Sequence, residues 1–161
     1  MPEMTLFGWF HTIIGIAALL SGIMTLYRDK VIGIEATSAK VYLACTLVAA
    51  VTALMIYKRG AFGPAHALAV LTLIALAVGM IAAKTGIFGK LSPYVQAMAF
   101  SGTFLFHMVP AITDGLMRLP VGDPVVKVFT DPFLQGFHLA FLAAYVVGFL
   151  WQVMWLRKQA S

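Results

Sequence analysis

Charge is what this 161-residue chain lacks most: Asp, Glu, Lys and Arg make up 11% of it. Soluble domains carry about 25% charged residues. So little charge cannot cover a surface that faces water, and a soluble globular protein is excluded. Cysteine is almost absent as well. Cys45 stands alone, which rules out an intrachain disulfide, a thiolate metal cage and a CxxC redox pair. No HExxH pair and no serine elbow occurs, so the familiar hydrolase signatures are missing. The nine methionines show no M-x-x-M spacing that would suit copper handling.

What the chain has in excess is hydrocarbon. Hydrophobic residues account for 61% of it, with a mean hydropathy of +0.95. A helix that spans a bilayer needs about 20 mostly apolar residues. Five stretches meet that need, at roughly Leu6–Tyr27, Val41–Tyr57, Pro64–Ala83, Pro93–Met117 and Phe133–Leu156. The second is short and is expected to begin in its preceding loop. Turn chemistry separates the runs, and Pro64, Pro93 and Pro132 fall at helix starts, where a missing N–H costs nothing. The reading is an all-α integral membrane bundle of five transmembrane helices, one domain over residues 1–161, with no internal repeat. The segment ahead of the first run carries Glu3 and no basic residue, and the run is too long for a signal peptide core, so it reads as a retained span.

The formal charge of +5 points to membrane topology and not to nucleic acid, because the Lys and Arg residues sit in short turns without interleaved aromatics. With the N-terminus outside, Arg28, Lys30, Lys40, Lys84, Lys90, Arg157 and Lys158 face the cytoplasm and Lys58, Arg59, Arg118 and Lys127 face out. That asymmetry favours N-out, C-in. Trp9, Trp151 and Trp155 lie near span ends, as interfacial aromatics do.

Against this background the polar residues inside the spans stand out. Alternation of the spans brings His11, His66, His107 and His138 into one half of the bilayer, at depths of about 3 to 15 Å for a 1.5 Å rise per residue. Asp114 and Tyr57 fall in the same layer. On span 4, Gln96, Thr103, His107, Asp114 and Arg118 form one helical stripe, and Pro110 is expected to kink the helix. His11 shares a face with Gly15, Ala18 and Gly22; Gln135 and His138 align with Tyr145; Tyr42 and Thr46 align with Ala50, Ala53 and Tyr57. Ionisable groups within a membrane mark functional sites by default. Taken as a set, His11, His66, His107 and His138, with Asp114 as a further ligand or orienting group, form a candidate site for haem b or a transition metal ion (Fe, Cu or Zn). Such a centre would serve electron transfer near the periplasmic face, with a quinone or another membrane subunit as partner. The competing reading is a non-catalytic accessory subunit, in which the Asp114–Arg118 pair neutralises itself and the histidines only hold helices together. A homo-oligomer fits either. A small transporter ranks last, because five spans leave no inverted repeat.

Two segments, "AKVYLACTLVAAVTALMIYKRGAFGPAHALAVLTLIALAVGM" and "FHMVPAITDGLMRLPVG", resemble small bacterial multi-pass membrane proteins to which no activity is attached. The resemblance rests on FGPxHALAxLTL around His66 and on HxVPAxTDxxxRLP. It implies residence in the bacterial cytoplasmic membrane and directs attention to His66, His107 and Asp114. In span count and histidine number the chain is also loosely similar to small di-haem b-type cytochromes. Those proteins place histidines on both sides of the membrane, whereas all four here share one, which leaves room for a single haem.

Topology has a direct test. A C-terminal fluorescent-protein fusion made in a bacterial host should fluoresce, and the matching alkaline phosphatase fusion should be inactive; the reverse pair would place the C-terminus outside.

Overall fold

The computed structural model describes residues 5–56 and 61–160. Among them lie five α-helices: α1 (Leu6–Asp29), α2 (Thr37–Leu54), α3 (Pro64–Thr85), α4 (Ser92–Arg118) and α5 (Pro132–Ala160). All five are long and apolar enough to cross a membrane. The protein is an all-helical, multi-pass membrane bundle.

Helix ends follow local chemistry. Thr5 caps α1 by accepting from the Gly8 N–H at 3.1 Å, and Lys30 closes it in the left-handed conformation at φ 66°. Pro64 opens α3, and Gly86, at φ 61°, ends it, a backbone angle that glycine adopts without a Cβ penalty. A short 3₁₀ turn, Gly89–Leu91, leads into α4. That helix runs unbroken through Pro110. The start of α2 differs from the sequence expectation. It begins at Thr37, four residues before Val41, because its polar first turn is used inside the bundle. Ser38 accepts a hydrogen bond from Thr25 of α1 at 2.8 Å, so residues that read as loop by hydropathy are helix by packing. Tyr57 lies outside the described residues.

In chain order, α1 packs on α2, α2 on α3 and α3 on α4; α4 also touches α1, and α5 packs on the outside of α4. The short α2 is the most enclosed of the five, and α1 and α5 are the least. Its 18 residues measure about 27 Å, just the hydrocarbon thickness. The central core joins Ala18, Ile32, Ala39, Tyr42, Leu43, Leu76 and Phe100. A smaller cluster of Met117, Val126 and Leu134 pins the α4–α5 connection. That connection also returns a backbone bond, from Val126 N–H to Leu116 C=O at 3.0 Å.

Close helix approach depends on two glycines. A Cβ at Gly22 would stand 2.8 Å from Tyr42 Cδ2, and one at Gly79 would stand 2.6 Å from Phe100 Cδ1. Tyr42 and Phe100 are both fully buried, so neither ring has room to retreat. Gly15, by contrast, has open space where its Cβ would be. Gly79→Ala should therefore cost about 1–3 kcal/mol through overpacking, outweighing the gain of up to about 1 kcal/mol that alanine brings to a helix. Gly15→Ala should be neutral or stabilising. Denaturation in mixed detergent micelles, comparing the two, checks both signs.

Candidate functional site

In hydrocarbon a side-chain donor has no water to fall back on, so it must find a partner within the protein. On α2 the residues at 38, 42, 46 and 52 point inward, and each meets a neighbouring helix. Ser38 accepts from Thr25 of α1 at 2.8 Å. The Tyr42 hydroxyl lies 2.6 Å from Thr103 Oγ1 of α4. Thr46 Oγ1 lies 3.0 Å from His107 Nε2 of α4, and Thr52 Oγ1 lies 2.9 Å from His11 Nδ1 of α1. Four cross-links thus fasten one helix to two others along its whole length. Tyr42, Thr46 and Thr103 have no exposed surface at all.

The direction of these bonds follows from the single proton each hydroxyl owns. Thr103 gives its proton to Phe100 C=O at 2.7 Å, so the Tyr42 hydroxyl donates to Thr103. Thr52 gives its proton to Val48 C=O at 2.8 Å and accepts from His11 Nδ1–H. Thr46 Oγ1 and His107 Nε2 share one hydrogen bond, whose direction is set by the ring's tautomer. A directional chain results from Tyr42 to Thr103 to the Phe100 carbonyl. The edge of the His107 ring also faces the Tyr42 ring, with centroids 6.3 Å apart.

The remaining residues of the expected site lie elsewhere. His138 of α5 places Nε2 2.9 Å from Thr113 Oγ1 of α4, and Thr113 in turn donates to Val109 C=O at 2.7 Å. His66 is buried at the start of α3, where its Nδ1 accepts from the Gly63 N–H at 3.1 Å. The ring stacks on Phe62 with centroids 5.2 Å apart; this is helix capping. Asp114 pairs with Arg118 one turn on, at 3.3 Å. The structure therefore ties His11 and His107 to different threonines of α2, sets His138 against the residue next to Asp114, and uses His66 at a helix end. Among the described residues, no three His, Cys, Asp or Glu side chains come together as a ligand set.

Sequence reasoning found the inward stripe of α4 and the Tyr42–Thr46 face of α2. It missed Thr52 and Thr113, the hydroxyls that hold His11 and His138, and it missed the Ser101–Gln152 bond of 2.9 Å between α4 and α5. The available signal was one of matching: each lipid-embedded imidazole needs a hydroxyl at similar depth on an adjacent span. Comparison with family models, with curated proteins and with solved structures finds nothing that matches this chain.

Removing one partner from a buried pair leaves the other unsatisfied, at about 1–3 kcal/mol, although cross-links in membranes average nearer 0.6 kcal/mol. Thr46→Val keeps the shape and strands His107 Nε2 at a fully buried position, so it should fall toward the upper part of that range. Thr113→Val, on the half-buried α4–α5 face, should cost less. Unfolding free energies in mixed micelles rank the two, and equal costs would mean that the deeper burial at Thr46 adds nothing.

Proposed function

We propose that this chain is a non-catalytic accessory subunit of a bacterial cytoplasmic-membrane assembly, a stiff helical scaffold whose polar interior sets its shape and whose apolar exterior meets lipid and protein. The observation that carries this reading is the fate of the histidines. Three of the four rings hydrogen-bond a threonine of a neighbouring helix, and the fourth caps a helix. Each ring makes a structural bond, three as cross-links and one as a cap. The exterior supports the same reading. Leu139, Leu142, Val146, Val147 and Leu150 of α5 are all exposed, and that helix packs on α4 alone among the major helix contacts.

A second reading has its own support in the His11–His107 pair. Each ring is held through one nitrogen by a threonine, and ligand histidines are oriented in this way by the groups behind them. Two imidazoles from α1 and α4, both tied to α2, would be the protein's contribution to a haem b or a Cu, Fe or Zn centre. Such a centre would exchange single electrons with a quinone or a periplasmic partner. His66, His138 and Asp114 would then act outside the ligand set.

One preparation separates the two. On the scaffold reading, protein purified in mild detergent after growth with haem precursor and trace metals shows no Soret band and well below 0.5 metal ions per chain (an order-of-magnitude threshold for partial occupancy). A stoichiometric metal or a Soret band that disappears in His11→Ala and His107→Ala, and persists in His138→Ala, would establish the pair as a cofactor site and overturn the scaffold reading.

A further inference from the structure

The outer helices leave a groove. Where α1 and α5 flank α4, a cleft of about 300 Å³ opens, walled by Phe104, Leu105, Phe141, Tyr145, Phe149 and Trp151 and bounded at one end by Lys30. The polar groups in its walls are turned to other uses. Ser101 donates to Gln152 Oε1 at 2.9 Å, Gln152 Nε2 donates to Lys30 C=O at 2.9 Å, and the Tyr145 hydroxyl donates to Met98 C=O at 3.1 Å. The cleft is therefore apolar along its length, and a hydrocarbon chain suits it. From Phe141 to Gln152 it follows about three turns of α5, roughly 16 Å at 1.5 Å per residue. That is close to the depth of one leaflet, half of about 30 Å.

The mouth of the groove is cationic. Gln152 holds the Lys30 backbone in place from α5. The Lys30 ammonium donates to Tyr27 C=O at 2.7 Å and lies over the Tyr27 ring, 5.4 Å from its centroid, and the residue also lines the groove. Among the described residues, the same end of the bundle bears Arg28, Lys40, Lys84, Lys90, Arg157 and Lys158, against the acidic Asp29 and Glu35. A hydrocarbon slot one leaflet deep, with a fixed lysine and an excess of positive charge at its polar end, is complementary to a lipid that carries a negative headgroup.

We infer that the α1–α4–α5 groove binds one anionic phospholipid from the leaflet on the Lys30 side, with an acyl chain along Phe141, Tyr145 and Phe149 and the headgroup phosphate at Lys30. The site is independent of whether the histidine pair holds a cofactor. It also gives α5, which has little protein around it, a lipid that bridges it to α1.

Trp151 in the groove wall supplies the test. In a Trp9→Phe, Trp155→Phe background, Trp151 is the only tryptophan. The protein is reconstituted in phosphatidylcholine vesicles containing a fixed fraction of either brominated phosphatidylglycerol or brominated phosphatidylcholine, and quenching is compared. The anionic lipid should bind with a relative association constant about fivefold higher, the preference that one lysine near an anionic surface supplies. Lys30→Gln should abolish the preference, since the Gln152 bond is to the backbone. Gly148→Leu, at a position with open space around it, should fill the groove and weaken quenching by both lipids. Equal quenching by the two lipids in the parent protein, or a preference that survives Lys30→Gln, would mean ordinary boundary lipid and overturn the inference. Quenching by neither lipid would place a protein face, such as a second copy, over the groove and overturn it equally.

Discussion

A hydroxyl or imidazole inside a bilayer has only the protein to bond to, and that constraint organises this molecule. Apolar side chains do little to choose one helix arrangement over another in lipid, because the tails outside are as apolar as the neighbours inside. Direction has to come from groups that cannot be left unsatisfied. Here they converge on α2, whose residues Ser38, Tyr42, Thr46 and Thr52 each find a partner on α1 or α4. A rotation of α2 by a third of a turn would strand all four at once. The close approach of α1 to α2 depends on Gly22 against Tyr42, and that of α3 to α4 on Gly79 against Phe100, so small residues and polar residues act together. Glycine brings the backbones near, and the hydrogen bonds then fix the register.

The five spans were legible because the signal for a membrane helix is an average over many residues and tolerates local error. The same averaging explains where the boundaries failed. The first turn of α2, "TSAK", is too polar to score as span, yet its Ser38 is buried against Thr25. Hydropathy reports what a residue prefers on transfer, and a paired serine no longer behaves as an unpaired one. The inward stripe of α4 was legible too, since a spacing of three to four residues survives without knowledge of the partner. What could not be read was which stripe meets which. His107 and Asp114 share a face by spacing, but His107 meets Thr46 of α2 while Asp114 turns to Arg118 on its own helix. Periodicity fixes direction about one helix axis; only the packing order of the helices converts direction into contact.

That packing order also separates an inside from an outside within the membrane. The first four helices contact one another in sequence, with α1 returning to α4, and α5 packs on α4 from the outside. The amide and hydroxyl bonds that tie α5 in run from Gln152 to Lys30 and Ser101, and from Tyr145 to Met98. They run from the middle of the helix to its Lys30 end, whereas His138 and Thr113 make the tie at the other end. Around these ties its surface is hydrocarbon facing hydrocarbon, where lipid and protein compete on nearly equal terms. A groove there is a natural place for the bilayer to become part of the structure.

The two halves of the bundle solve the same hydrogen-bonding problem with different chemistry. Toward the Lys30 end the cross-links are made by hydroxyls and amides: Thr25 with Ser38, Ser101 with Gln152, and Gln96 with the Ile32 carbonyl at 3.0 Å. Toward the other end they are made by His11, His107 and His138, each on a threonine. If cross-linking were the whole requirement, glutamine or serine would serve equally at both ends, at no risk of a buried charge. Imidazole differs from an amide in one respect that matters here: the nitrogen opposite the bonded one keeps a basic lone pair, open to a proton or a metal. A scaffold accounts for the position of every ring but not for the choice of ring. The weight of the cofactor reading therefore rests on the His11–His107 pair, two rings from different helices that are both held on α2.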